Sequence, residues 1–351
     1  MKKTIQRQEQ DIFDEYKRVS RVTGTTTMAD FTQAVADGQV GKIIAISEVL
    51  QEKKLVHLCD AILRSDAKVV LIAGPSSSGK TTFSKRLSLQ LMASGRIPHP
   101  ISLDDYYVNR VDTPLDENGE YDYETLYALN LPLFNEQLQK LIDGEEVELP
   151  RYDFPTGKSI LRTGNFLRLG EEDILVIEGI HGLNPELTSK LHYTPSAELL
   201  AANPKASKDG LFRVFVSPMT GLQTGEVNGR HTYTPPVDNR LLRRIIRDMK
   251  QRNTSAQSTI HRWASVRAGE EKWIYPFYEK ADHIFNTALY YELGVIKPQA
   301  EAALKAVPTD SPEYATAERL LSFLKDIPVI PEDYIPSVSL LREFLGGSVF
   351  E

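Results

Sequence analysis

Apolar and polar positions fall along this chain in blocks that imply strands set between helices. Five short apolar runs read as strands: residues 69–73, 100–103, 174–177, 212–216 and 283–286. Between most of them the apolar spacing lengthens to a helical period, over 81–94, 131–142 and 239–252. Alternation of this kind implies βαβ crossovers and an α/β fold with a mainly parallel sheet. Ligands bind such sheets at the carboxyl ends of the strands.

The flanks have a different character. Residues 1–66 read as helices packed on the core. Thr27 and Asp30 resemble a capping box with Asp in place of Glu, and Gly38 is placed to end that short helix. A longer helix over 42–64 carries Ile43, Ile46, Leu50, Val56 and Ile62 at a roughly helical period. Residues 195–210 are polar and interrupted, as in a surface excursion between core strands. The tail, 299–351, holds one clear helix at 312–325 and then the proline-punctuated stretch IPVIPEDYIP. The expected division is a helical N-terminal region (1–66), an α/β core (67–298) and a helical C-terminal tail (299–351).

Composition narrows the class. With 41% hydrophobic and 25% charged residues the chain is ordinary globular protein. A net charge of −7 argues against a general nucleic-acid binder. The one cysteine, Cys59, excludes an internal disulfide, fits a reducing cytoplasmic setting, and lies in an apolar helical stretch as a buried thiol would. The basic N-terminus lacks an apolar segment behind it, so no signal peptide is expected, and no run is long enough to span a bilayer. No membrane or nucleic-acid partner is expected.

Directly behind the first apolar run stands GPSSSGKTT: Gly74, Pro75, Ser76, Ser77, Ser78, Gly79, Lys80, Thr81 and Thr82. Strand, glycine turn and helix give this Gly-x-x-x-x-Gly-Lys-Thr phosphate loop its physical setting. Gly74 and Gly79 allow backbone conformations that turn consecutive N–H groups toward one point. The following helix N-terminus adds partial positive charge. Lys80 can reach the β- and γ-phosphates, and the Thr81 hydroxyl can bind Mg²⁺. The chain is expected to bind a nucleoside triphosphate.

Acids follow the next strands. Asp104 and Asp105 end the second and suit Mg²⁺ coordination or abstraction of a hydroxyl proton. Glu178 ends a wholly apolar run, where a carboxylate is costly to bury without a cation or a strong donor, and is read as a Mg²⁺ ligand. His181 reads as a loop histidine. Farther on, Arg240, Arg243, Arg244 and Arg247 recur at helical offsets that place them on one face, while Leu241, Leu242, Ile245 and Ile246 give the packing side. That stripe is either a solvated basic face or a phosphate-binding surface. The glycine- and proline-rich 225–236 before it suits the hinge of a lid over about 221–252. Two segments alternate aromatics with acids, 119–124 and 149–154; they suit either stacking on a flat ring or a packed hairpin.

In order, the GPSSSGKTT loop, SLDDYY, PRYDF, ILVIEGI and DNRLLRRIIRD resemble the uridine kinase/phosphoribulokinase family of P-loop kinases, in its bacterial uridine kinase-like branch. The resemblance covers roughly 67–298. It implies a P-loop NTPase of nucleoside monophosphate kinase-like form: a five-stranded parallel sheet, flanking helices and an arginine-bearing lid. It also implies ATP and Mg²⁺ as cofactors, a small-molecule hydroxyl acceptor, and admits a homo-oligomer. Asp104 would be the general base, and Lys80, Arg243 and Arg244 would act on the transferred phosphoryl group. Arg247 would join the loop on ATP, and Thr81, Glu178 and Asp104 would face the metal. Glu124 would hold the ribose, Tyr123 would stack the base, and Tyr107, Tyr152, Phe154 and Arg240 would line the acceptor. One departure stands out: where the pyrimidine kinases carry a base-reading histidine, this chain has Gly157. Losing that contact weakens discrimination for a pyrimidine. A nucleoside 5′-hydroxyl is the first expected acceptor; a pentose phosphate, pantothenate or glycerate, or a silent ATP-binding module, are the alternatives. No guanine-reading Asn-Lys-x-Asp and no transporter-type Ser-Gly-Gly-Gln signature is present.

Overall fold

The structure is a computed structural model that describes residues 4–117, 119–220, 223–227, 230–233 and 235–350. Three helices open it: α1 (Ile5–Thr23), α2 (Met28–Ala36) and α3 (Val40–Ser65). The capping box at Thr27 forms as expected, with Asp30 N–H on the Thr27 hydroxyl and Thr27 N–H on the Asp30 carboxylate. The core strands are β1 (Val69–Ala73), β2 (Ile97–Ser102), β3 (Asp173–Glu178), β4 (Leu211–Ser217) and β5 (His283–Asn286). They form one parallel sheet in the order β5-β4-β1-β3-β2. Around it run α4 (Lys80–Ala93), α5 (Leu131–Ile142), α6 (Pro236–Arg252), α7 (Ala256–Trp273), α8 (Glu292–Lys305), α9 (Tyr314–Leu324) and α10 (Arg342–Leu345).

Two boundaries differ from the sequence reading for identifiable reasons. Strand β2 starts at Ile97, ahead of the expected start at Pro100, and so takes in Pro98 as well. It is an edge strand pairing only with β3, so Pro98 and Pro100 are tolerated there. Helix α6 starts at Pro236, where proline's missing N–H costs nothing. In α3 the buried stripe is also displaced. It runs through Ile43, Ile44, Ser47, Gln51, Leu55, Leu58, Cys59 and Ile62, whereas Val56 is exposed. Polar Gln51 can join that stripe because its amide donates to the carbonyls of Asn286 and Ala288.

Alternate residues of the strands feed two apolar layers. Val69, Leu71, Leu175 and Ile177 pack with α5 on one face. Val70, Ile72, Val176, Val214 and Val216 face the other layer, which also contains Tyr16, Phe31, Leu58, Ile62, Leu320, Leu341 and Phe344. N-terminal helices, sheet and tail therefore share one core. Helix α1 additionally covers the β5 edge: Gln8 accepts from Ile284 N–H and donates to the Asp282 carbonyl. Of the expected lid, residues 221, 222, 228, 229 and 234 lie outside the described residues. What is described there is an antiparallel hairpin of Gln223–Val227 with Arg230–Tyr233, followed by α6. Among the described residues, no helix is long and apolar enough to cross a membrane.

Candidate active site

The parallel register brings three strand ends together. Ile72, Glu178 and Ser102 lie abreast on β1, β3 and β2. The phosphate loop leaves β1 here, and its glycines are sterically required. A Cβ on Gly74 would stand 2.1 Å from the Val216 carbonyl oxygen, and Gly79 has φ +89°. Ser77 also adopts a positive φ, of 58°, and its buried hydroxyl finds no partner among the described residues. A strained loop with an unspent hydroxyl is what a cradle for an external anion requires.

Lys80 is buried with its amine on the Pro75 carbonyl at 3.2 Å. Burial lowers its pKa, against the pull of Glu178, Glu343 and Asp104 around it. Glu178 accepts from the Thr81 hydroxyl at 3.3 Å and from the Ser102 hydroxyl at 3.4 Å. Burial, with Asp104 adding to it, pushes Glu178 up to about 7. A carboxylate this short of countercharge beside a threonine hydroxyl fits Mg²⁺, whose remaining ligands would be phosphate oxygens and water.

Asp104 and Asp105, equivalent in the sequence, separate in the structure. Asp105 accepts the Tyr152 N–H at 3.2 Å and so anchors the following hairpin. Asp104 sits in a one-turn 3₁₀ segment whose start is capped by the Ser102 hydroxyl. Burial raises its pKa, while Lys80, Arg252 and Arg247 draw it down. Tyr107 is flanked by Asp104 and Glu124, which add to burial in raising its hydroxyl pKa. An edge-on aromatic series continues from there, Tyr107 to Tyr152 at 5.5 Å and Tyr152 to Phe154 at 5.0 Å. Tyr123 and Phe154 stand exposed at its rim. Gly157 has φ +70°, and a Cβ on it would lie 2.7 Å from Arg110 Nε. Arg110 covers that position and donates to the Phe154 carbonyl at 2.6 Å.

The arginine stripe divides. Arg240 and Arg243 are fully buried, not open to a ligand in this structure. Arg240 pairs with Glu270 and donates to the Ser76 carbonyl at 3.2 Å. Arg243 pairs with Glu292 at 2.5 Å and reaches the Ser78 carbonyl at 3.4 Å. Glu270 also accepts the Ser76 N–H at 3.2 Å. These pairs brace the phosphate loop from behind. Desolvated guanidinium groups need such carboxylates, and a helical period alone cannot foresee them. Arg244 donates to the Ser76 hydroxyl at 2.7 Å and faces Glu124. Arg244, Arg247 and Arg252 all contact one carboxylate, Asp248, which leaves a positive surplus at the mouth of the site.

The structure thus gathers Asp104, Lys80, Thr81, Glu178, Tyr107, Glu124, Arg244 and Arg247. Five functional candidates escaped the sequence reading: Arg110, Arg252, Glu270, Glu292 and Glu343. Arg252 was legible in principle, since it falls eight residues beyond Arg244 on the same helical face. The glutamates come from distant elements, and only folding places them. His181 is buried against Trp273, and burial lowers it to about 4, which keeps it neutral.

Residues 69–191 match the model of the Phosphoribulokinase / Uridine kinase family. The chain is thus similar to that family over the phosphate loop and strands β1, β2 and β3. A uridine kinase of Chloroflexus aurantiacus is 26% identical over 243 residues, covering 68% of this chain and 97% of that protein. A uridine kinase of Ureaplasma urealyticum is 27% identical over 203 residues, 56% of this chain and 77% of that protein. The solved D-glycerate 3-kinase of Cryptococcus neoformans is 17% identical with a TM-score of 0.41, covering 66% of this chain and 89% of that one. The phosphate loop and both strand-end acids fall inside the matched residues, whereas α6, α7 and the tail lie beyond them.

Proposed function

We propose that this chain is an ATP-dependent kinase transferring the γ-phosphoryl group to a primary hydroxyl of a small molecule, with a nucleoside as the first acceptor. The convergence of Asp104, Lys80 and the Thr81–Glu178 pair at three adjacent strand ends carries the reading. Asp104 takes the hydroxyl proton as the acceptor oxygen bonds to phosphorus; the bond to the bridging oxygen breaks and ADP leaves. A pKa raised by burial suits Asp104 to hold that proton. Lys80 and the loop amides hold the phosphates, while Arg244 and Arg247 supply positive charge beside them. Thr81 and Glu178 would hold Mg²⁺, which would supply neutralisation of the phosphate charge. Tyr107, Tyr152 and Phe154 offer the acceptor an aromatic wall, with Glu124 placed for a sugar hydroxyl and Tyr123 at the rim.

A second acceptor class has its own support. Arg252 acts electrostatically on Asp104 and Tyr107, and Arg110 fills the space at Gly157. Cations at both ends of the aromatic wall favour an acidic alcohol such as a pentose phosphate, pantothenate or glycerate. A panel of pyrimidine and purine nucleosides and these acids, with ATP and product identified by mass, decides between the classes. ATP consumption that no alcohol stimulates would reject both. With the acceptor found, Asp104→Asn should retain ATP affinity while turnover falls by about 10²–10⁴; near-normal turnover would remove Asp104 as the base.

A further inference from the structure

The first-turn amides of a helix have no partner within it, and behind a phosphate loop they cradle the α- and β-phosphates. In α4 one of these donors is already taken. Thr82 N–H donates to Glu343 Oε2 at 2.9 Å, from a residue 261 positions farther along in α10. The Glu343 charge also acts on both Lys80 and Glu178, so its carboxylate stands inside the site's electrostatic field.

The tail presenting it is firmly docked. Leu341, Phe344 and Leu345 are buried around Glu343, and Phe344 lies 5.0 Å beneath the Arg243 guanidinium. Gln251 donates to the Glu343 carbonyl at 2.9 Å, Lys250 to the Leu345 carbonyl at 2.6 Å, and Lys85 to the Phe350 carbonyl at 2.7 Å. Leu340 presses on the loop itself, since a Cβ on Gly79 would lie 2.7 Å from Leu340 Cδ2. The Glu343 side chain, by contrast, is only half-buried.

We propose that Glu343 is an internal competitor for nucleotide phosphate. Its carboxylate holds the Thr82 amide in the empty site and swings aside when a nucleoside di- or triphosphate binds, while the tail stays docked. One charge-assisted hydrogen bond is given up, and a carboxylate next to the incoming phosphates moves away. Glu343 therefore sets how tightly nucleotide binds. The inference rests on the nucleotide-binding part of the proposed function and on no acceptor.

Calorimetric titration of ATP and ADP into the full chain tests it, with wild type, Glu343→Gln and Glu343→Ala. Glu343→Ala should bind both nucleotides roughly tenfold more tightly, the scale of one charge-assisted hydrogen bond. Glu343→Gln, which keeps an acceptor without the charge, should fall between. If the contact only fastens the tail, both variants melt lower and bind nucleotide no better than wild type; that outcome overturns the proposal. A wild type that binds no nucleotide would overturn the kinase reading together with this one, whereas wild-type binding that neither variant tightens overturns this one alone.

Discussion

Glu124 stands under opposing pressures. Burial, with Glu270 adding, pushes its carboxyl up to about 7, and Arg244 pulls it back. The folded chain thus holds a proton that the unfolded chain releases in the ordinary carboxylate range. Such a group costs stability as pH rises from the ordinary range to the folded value, and Glu178, also pushed up to about 7, acts in the same direction. The melting temperature of the ligand-free protein should therefore fall between about pH 5 and 7. Glu124→Gln should fall less over that range, and equal slopes for the two proteins would count against the assignment. Residue-scale chemistry was partly legible. The phosphate loop and Glu178 announce themselves through spacing and an apolar run, whereas Asp104 and Asp105 look alike until a hairpin amide claims one of them.

At the scale of elements, α6 and α7 do more than carry a stripe of charge. The helical period of α6 was readable, and so were its apolar residues. What a period cannot give is the partner each arginine meets. Two turn inward to buried glutamates behind the phosphate loop, and three share Asp248 at the mouth. Helix α7 also closes on the proposed acceptor side through Gly269, where a Cβ would stand 2.3 Å from Glu124 Cβ and 2.9 Å from its Cγ. Alanine at an unhindered helical position gains about 1 kcal/mol over glycine. Here the clash is with an atom next to the backbone, so the sign reverses. Gly269→Ala should displace Glu124, raising the acceptor KM about tenfold or more, since misplacement of about 1 Å can cost two orders of magnitude. ATP affinity should hold. An unchanged acceptor KM would show that Glu124 does not touch the acceptor.

Across the whole molecule, the N-terminal helices are integral to the core rather than attached to its surface. Phe31 is 1% exposed and belongs to the same apolar layer as the sheet residues Val70, Ile72 and Val214. Phe31→Ala should lower unfolding stability by about 3–5 kcal/mol, measured by denaturant titration. A loss below about 1 kcal/mol would mean that these helices pack loosely. The amino-acid sequence by itself determined the alternation of strands and helices, the phosphate loop, the acids at the strand ends and the family that the core resembles. These are local: a period, a glycine spacing or a single charge after an apolar run carries each one. Tertiary structure alone decided which aspartate stays free, which arginines brace the loop, what covers Gly157, and that a tail glutamate rests on the first turn of α4. Those contacts join residues up to 261 positions apart, and no local pattern records which distant side chain a fold will bring to a given amide or guanidinium.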